Sequence, residues 1–210
     1  MIKAIIVRTG KICDISGILS LQERNLYSNL SETDHPNGFV TTSFTFAQLE
    51  KLLIEEGIFV AVSNNKVVGY AMAGSWKFFS QWPIFPYMSA RLSTLRFMKS
   101  VIDTENSFQY GPVCIDVSYR GSALFPLMFE KLRIELSKRY PIGITFINRV
   151  NQCSFAAHNR KLGMQVIDQF EFDGRQYHVL AFDTKVSVLI SDSLHRLRLF
   201  MVEQEQQAEI

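Results

Sequence analysis

Val113 to Leu132 reads VCIDVSYRGSALFPLMFEKL. It opens as an apolar strand, passes Tyr119-Arg120-Gly121-Ser122-Ala123 and becomes an amphipathic helix. A strand that runs through a small-residue turn into a helix N-terminus prepares an anion site. The first helical turn leaves backbone N–H groups unpaired, and the helix dipole adds partial positive charge there. Working outward, Phe108 to Asp116 completes the strand on its upstream side. The spacing of Leu124, Leu127, Met128, Leu132 and Leu136 predicts a helix over Ser122 to Arg139. Ile142 to Val150 (IGITFINRV), dense in β-branched residues, predicts the next strand, so this region is a βαβ unit.

The flanks carry alternating helix and hairpin signals. Lys3 to Arg8 reads as a first strand. Asp14 predicts an N-cap, with Ile15, Ile18, Leu19 and Leu21 behind it at helical spacing. Phe46 to Glu56 predicts a second helix, stopped by Gly57. Ile58–Val62 and Lys66–Ala73 form a hairpin around Ser63-Asn64-Asn65. Gly74 to Arg96 carries Trp76, Phe78, Phe79, Trp82, Phe85 and Tyr87, interrupted by Pro83 and Pro86. That aromatic density reads either as core packing under a long connection or as the wall of a pocket for an apolar substrate. Met88 to Ser100 reads as a helix. Ser154 to Lys161 predicts a short helix, and Gln165–Phe172 with Gln176–Asp183 a closing hairpin around Asp173-Gly174. Val186, Leu189, Ile190, Leu194, Leu197 and Met201 predict a C-terminal amphipathic helix. The expected division is one domain over 1–184 and a helical tail over 185–210. The expected class is α/β, with a mixed, mostly antiparallel central sheet flanked by helices.

Composition narrows the function. The chain of 210 residues is 47% hydrophobic and 20% charged, an ordinary globular balance. A net charge of +2 without clustered Lys and Arg argues against nucleic acid. No apolar stretch approaches the roughly 20 residues that span a bilayer, and MIKAIIVRTG is too short an apolar run for a signal peptide, so a cytoplasmic protein is expected. Cys13, Cys114 and Cys153 make neither a disulfide framework nor a metal-ligand pair, and no metal is expected. Cys114 and Cys153 read as small hydrophobes.

The element order resembles the GNAT acyltransferases, from about Lys3 to Asp183. That family leads its fourth strand into an Arg/Gln-x-x-Gly-x-Gly/Ala loop and a helix. Here the matching run is Ile115-Asp116-Val117-Ser118-Tyr119-Arg120-Gly121-Ser122-Ala123-Leu124-Phe125, with Ala123 where the first obligatory glycine stands and Phe125 where the last small residue stands. A second run, Asn151 to Met164, is similar to the family's other cofactor segment, with Asn151, Ser154, Lys161 and Gly163 in place. The resemblance implies a GNAT-like fold and transfer of an acetyl group from acetyl-CoA to an amine of a small molecule or peptide. The alternative is a catalytically degenerate GNAT-like domain that binds acyl-CoA as a sensor or interaction module.

On that resemblance, residues 120 to 125 cradle the pyrophosphate of coenzyme A, and a splayed strand edge near Ile115 and Val117 takes the pantetheine amides. A backbone N–H near Cys114 or Ile115 faces the thioester carbonyl. Asn151 is expected to bond pantetheine or a following turn, and Arg120, Arg160 and Lys161 are candidate 3′-phosphate partners. The family often places Tyr as general acid in the helix after Asn151. Counting from Ser154 puts His158 there and counting back from Gly163 puts Asn159 there, because this chain has one residue more than the common spacing. A partly charged His158 would donate a proton at neutral pH. Asp116, Glu23, Glu56 and Tyr110 stay open as general bases. The loop from Asp34 to Gly38 would shape the acceptor site, and the C-terminal helix would support a homodimer.

Overall fold

The computed structural model describes residues 5–31, 33 and 38–188. One sheet holds seven strands: β1 (Ile5–Thr9), β2 (Ile58–Ser63), β3 (Lys66–Gly74), β4 (Ser107–Ile115), β5 (Ile142–Asn148), β6 (Gln165–Phe172) and β7 (Arg175–Asp183), in the order β1-β2-β3-β4-β5-β7-β6. Only β4 and β5 run parallel; every other neighbouring pair is antiparallel. This is the mixed sheet that one βαβ unit between hairpins dictates.

Helices α1 (Ile15–Glu23), α2 (Phe46–Ile54), α3 (Trp76–Phe79) and α4 (Ile84–Arg91) pack on one face, and α5 (Leu124–Leu136) and α6 (Gln152–Ala156) on the other. Strand alternation sorts the core between the two. Val60, Tyr70 and Met72 meet Ile15, Leu49 and Leu52, whereas Phe59, Ala61 and Ala71 meet Met128, Phe129 and Leu132. Both hairpins turn through left-handed residues, Asn64 and Asn65 (φ 49° and 59°) and Asp173 and Gly174 (φ 50° and 67°), as two-residue hairpins of matching twist require.

Four expectations change. The helix expected over Met88–Ser100 starts earlier, as α4 (Ile84–Arg91), and Arg96–Phe97 then pairs with Ser100–Val101. Pro83 is its N-cap and Pro86 sits in its first turn, where a missing N–H costs nothing, so the prolines start this helix rather than interrupt it. Asp14 does not cap α1 with its side chain; its carboxylate accepts from Arg8 (2.7 Å) and from the Lys11 N–H (2.7 Å). The helix α5 is shorter than Ser122 to Arg139: it starts after Ala123, where the Ser122 hydroxyl accepts the Leu124 N–H (3.2 Å), and it ends at Leu136. Cys114 is buried as expected, but Cys153 is exposed. The tail helix, and the homodimer expected through it, fall almost wholly outside the described residues, as does most of the Asp34 to Gly38 loop. No described helix is long and apolar enough to cross a membrane.

Candidate functional site

β4 and β5 pair only where Ser107, Phe108 and Gln109 lie beside Ile142, Gly143 and Ile144. Beyond that, β5 stays with β7 as far as Asn148, and β4 stays with β3 as far as Ile115. The two central strands therefore part. The β3–β4 register shifts between Ala71 and Ala73, opposite Gly111, whose φ of 106° favours glycine.

Ladder chemistry fixes which groups face the opening. The Asp116 N–H bonds the Val68 carbonyl (2.9 Å). Antiparallel pairs alternate between bonded and non-bonded, so Cys114 opposite Tyr70 is bonded to β3. Val113 and Ile115, opposite Ala71 and Gly69, turn their N–H and C=O groups the other way, onto the open edge. The expected edge at Ile115 and Val117 is thus carried by Ile115 and Val113. Val117 sits in an exposed 3-10 turn (Val117–Tyr119). The alternation that singles out Val113 was present in the sequence, but its phase needs one known hydrogen bond.

The opening leads to the start of α5. Gly121 (φ 75°), Ser122 and Ala123 are exposed, and a Cβ built at Gly121 would meet nothing within 4 Å. The N–H groups of Gly121, Ser122, Ala123 and Phe125 bond to nothing in the described chain. Pro126 contributes no donor. Leu124 is buried under the turn. A cleft of about 150 Å³ runs from here along β4, lined by Val113, Ile115, Phe125, Ser154, His158 and Lys161 among others. Phe125 does not block the turn; its ring lies edge-on to His158, with centroids 5.1 Å apart.

Other expected residues hold the cleft together. Arg120 folds inward: its Nε donates to the Ile115 carbonyl (2.8 Å) and its Nη2 to Asn25 Oδ1 (2.6 Å). That commits its guanidinium to the cleft floor rather than to a distal phosphate. Asn151 accepts from the Ser154 N–H (3.2 Å) as N-cap of α6 and donates to the Phe39 carbonyl (3.1 Å), clasping residues 38–40 over the site. Asp116 caps the 3-10 turn through the Ser118 N–H (3.1 Å) and stands 3.5 Å from Arg24. Lys161 is at the exposed rim.

The extra residue between Asn151 and Gly163 is absorbed as a π-turn over Ala157–Lys161, closed by the Leu162 N–H on the Ala157 carbonyl (3.3 Å). The turn sends His158 inward and leaves Asn159 donating to the Met164 carbonyl (2.8 Å). Burial pushes the His158 imidazole down to about 4, against a hydrogen bond with Ser154 that raises it, so the ring is neutral rather than partly charged. Its Nδ1 lies 2.7 Å from the Ser154 carbonyl, which can only accept. Nδ1 therefore carries the proton and Nε2 a lone pair.

Of the other bases considered, Tyr110 is wholly buried between Phe129 and Phe182, and burial raises its phenol. Glu23 bonds Asn29 (2.8 Å) and Glu56 is exposed, and neither lines the cleft.

A second cavity of about 110 Å³ lies where the strands part. Thr41, Phe85, Gln109, Thr145, Phe146 and Tyr177 help to line it, and it shares Phe39, Val40, Val113, Ser154 and His158 with the first. The two meet at the open edge of β4. Sequence reasoning missed Gln109 and Thr145, which read there only as strand residues.

The fold is that of the GNAT acetyltransferases. An N-acetyltransferase from Staphylococcus aureus Mu50 superposes with a TM-score of 0.56 at 19% identity, over 86% of this chain and 98% of its own. The yncA protein of Salmonella typhimurium, solved with its cofactor acetyl-CoA, gives 0.57 at 16%, over 86% and 94%. A GNAT-family acetyltransferase from Streptococcus pneumoniae gives 0.56 at 12%, over 85% and 98%. Neither a protein-family model nor a curated protein matches the sequence.

Proposed function

We propose that this chain, built on the GNAT acetyltransferase fold, is an acetyl-CoA-dependent N-acetyltransferase that acetylates the amine of a small molecule or peptide by direct attack. The observation that carries this reading is the open edge of β4, which runs from unpaired strand groups to an unpaired helix N-terminus. Acetyl-CoA, when bound, supplies a thioester open to nucleophilic attack.

The residues present fit that cofactor. The N–H groups of Gly121, Ser122, Ala123 and Phe125 would hold its pyrophosphate, aided by the dipole of α5. The Val113 and Ile115 N–H groups would take carbonyl oxygens along the pantetheine arm, and a donor fixed at an oxyanion is typically worth about 3 kcal/mol. Lys161 adds positive charge at the rim.

On this reading His158 serves as a hydrogen-bond acceptor rather than as the proton donor expected from a charged imidazole. Its neutral ring offers Nε2 as an acceptor for an amine or amide N–H between the two cavities. With no carboxylate among the described lining residues to hold an ammonium, partial burial there favours the uncharged, nucleophilic form of an amine.

Two observations favour a second reading, a CoA-binding sensor. Arg120 already occupies the Ile115 carbonyl, and Pro126 removes a donor from the helix start. Two measurements on the purified protein separate these: calorimetry with CoA, and thiol release from acetyl-CoA with a panel of amines. Thiol release that depends on amine supports the enzyme. Binding with no release on any amine supports the sensor, and an absence of binding overturns both.

A further inference from the structure

The second cavity has a polarity that selects among amines. Phe85 and Phe146 lie 5.1 Å apart by ring centroids, and Phe146 meets Tyr177 edge-on at 5.9 Å, so its walls are aromatic. None of its described lining residues is Asp, Glu, Lys or Arg.

Its polar side chains, Thr41, Gln109, Thr145 and Asn148 among them, are amides and hydroxyls rather than ionised groups, and one of them is oriented. Gln109 is 3% exposed, and its Nε2 donates to the Tyr110 carbonyl (2.7 Å). A carbonyl can only accept, so the amide cannot be flipped, and the oxygen is the end left over. That Oε1 has no hydrogen-bond partner. A buried acceptor without a donor costs stability and calls for one. An amine N–H is such a donor. A carboxylate or phosphate brought here would find no cation among the described residues, and a second ammonium would find no carboxylate; either charge would be desolvated without an ion-pair partner.

We infer that the acceptor is a primary amine on an uncharged stem that carries an aromatic ring, seated against Phe85, Phe146 and Tyr177, with Gln109 Oε1 accepting from it as a specificity-determining group. The inference rests on the acetyltransferase reading above.

The test uses the full chain, acetyl-CoA and three amines: 2-phenylethylamine, spermidine and aspartate. Thiol release gives kcat/KM for each, and calorimetry gives the affinity for CoA. Phenylethylamine should lead the other two by about tenfold or more, the scale of discrimination that a shaped pocket reaches. Gln109→Met removes the acceptor at similar volume and should cut kcat/KM for phenylethylamine about tenfold, with CoA affinity unchanged. Gln109→Glu, a second variant in case the first does not fold, should raise spermidine relative to phenylethylamine.

If spermidine leads, or if both variants keep the native ranking and rates, the inference falls while the acetyltransferase reading stands. A lead for aspartate overturns it too, and moves recognition to Arg149 and Arg175, which flank the adjoining groove. Failure to bind CoA, or to release thiol with any amine, overturns the underlying reading and this inference with it.

Discussion

His158 carries a cost that depends on pH. Its imidazole titrates near 4 in the folded protein against an ordinary 6.5, so between those values the unfolded chain binds the proton that the folded one refuses. Stability is therefore full above about pH 6.5 and declines as the pH falls towards 4, by about 3 kcal/mol in all. Urea titrations at pH 7 and pH 4.5 should show this decline, and His158→Gln should flatten it. An unchanged slope in the variant would place the acid sensitivity elsewhere. A second residue effect belongs to Arg120. Arg120→Met removes the charged donor to the Ile115 carbonyl and to Asn25, and should cost about 1–3 kcal/mol in urea. The sequence singled out both residues but not their states. Whether His158 or Asn159 turned inward depended on where the extra residue was absorbed. Packing against Phe125 and Tyr110, rather than local spacing, accompanies the observed answer. Arg120 read as a surface cation because nothing local announces the Ile115 carbonyl as its partner.

Among the elements, α6 is fixed at its start by one residue. Asn151 caps it and also holds the Phe39 carbonyl, so Asn151→Ala loses a cap, worth about 1 kcal/mol, and the clasp on residues 38–40. Thermal unfolding should register the first loss. A raised KM for acetyl-CoA, with kcat less affected, should register the second, since Phe39 and Val40 line the cleft. The hairpins, the central strand, α2 and α5 were legible because period and turn chemistry agree there. Asn64-Asn65 and Asp173-Gly174 adopt the left-handed pair that a two-residue hairpin needs. The segment after Gly74 was not legible, because Pro83 and Pro86 are compatible with both a break and a helix start. Its aromatic residues answer to both readings offered for them. Trp76, Phe78 and Phe79 are core, whereas Phe85 belongs to the core and to the wall of the second cavity.

At the scale of the molecule, the sheet buries apolar residues on both faces and is interrupted only where its two parallel strands diverge. The divergence was expected only from the resemblance, since a strand that loses its neighbour halfway reads like any other apolar strand. It also sets the pH behaviour of the proposed reaction. With the His158 imidazole pushed down to about 4, too weak a base to take a proton from an alkylammonium, and no carboxylate among the described residues lining the second cavity, the acceptor in the proposed reaction arrives already deprotonated. The rise of kcat/KM with pH should then follow the free amine and move by the pKa difference when one amine replaces another. A rise at one fixed pH for all amines would reveal a base supplied by the protein.

The meeting of the two cavities at a single open edge also constrains the order of events. In the proposed reaction thioester and amine would reach the same few atoms of β4 from separate chambers, so neither would have to leave before the other arrives. Initial-rate lines at several fixed amine concentrations should intersect rather than run parallel. Labelled CoA should not exchange into acetyl-CoA while amine is withheld, because no part of the chain has to carry the acetyl group in between.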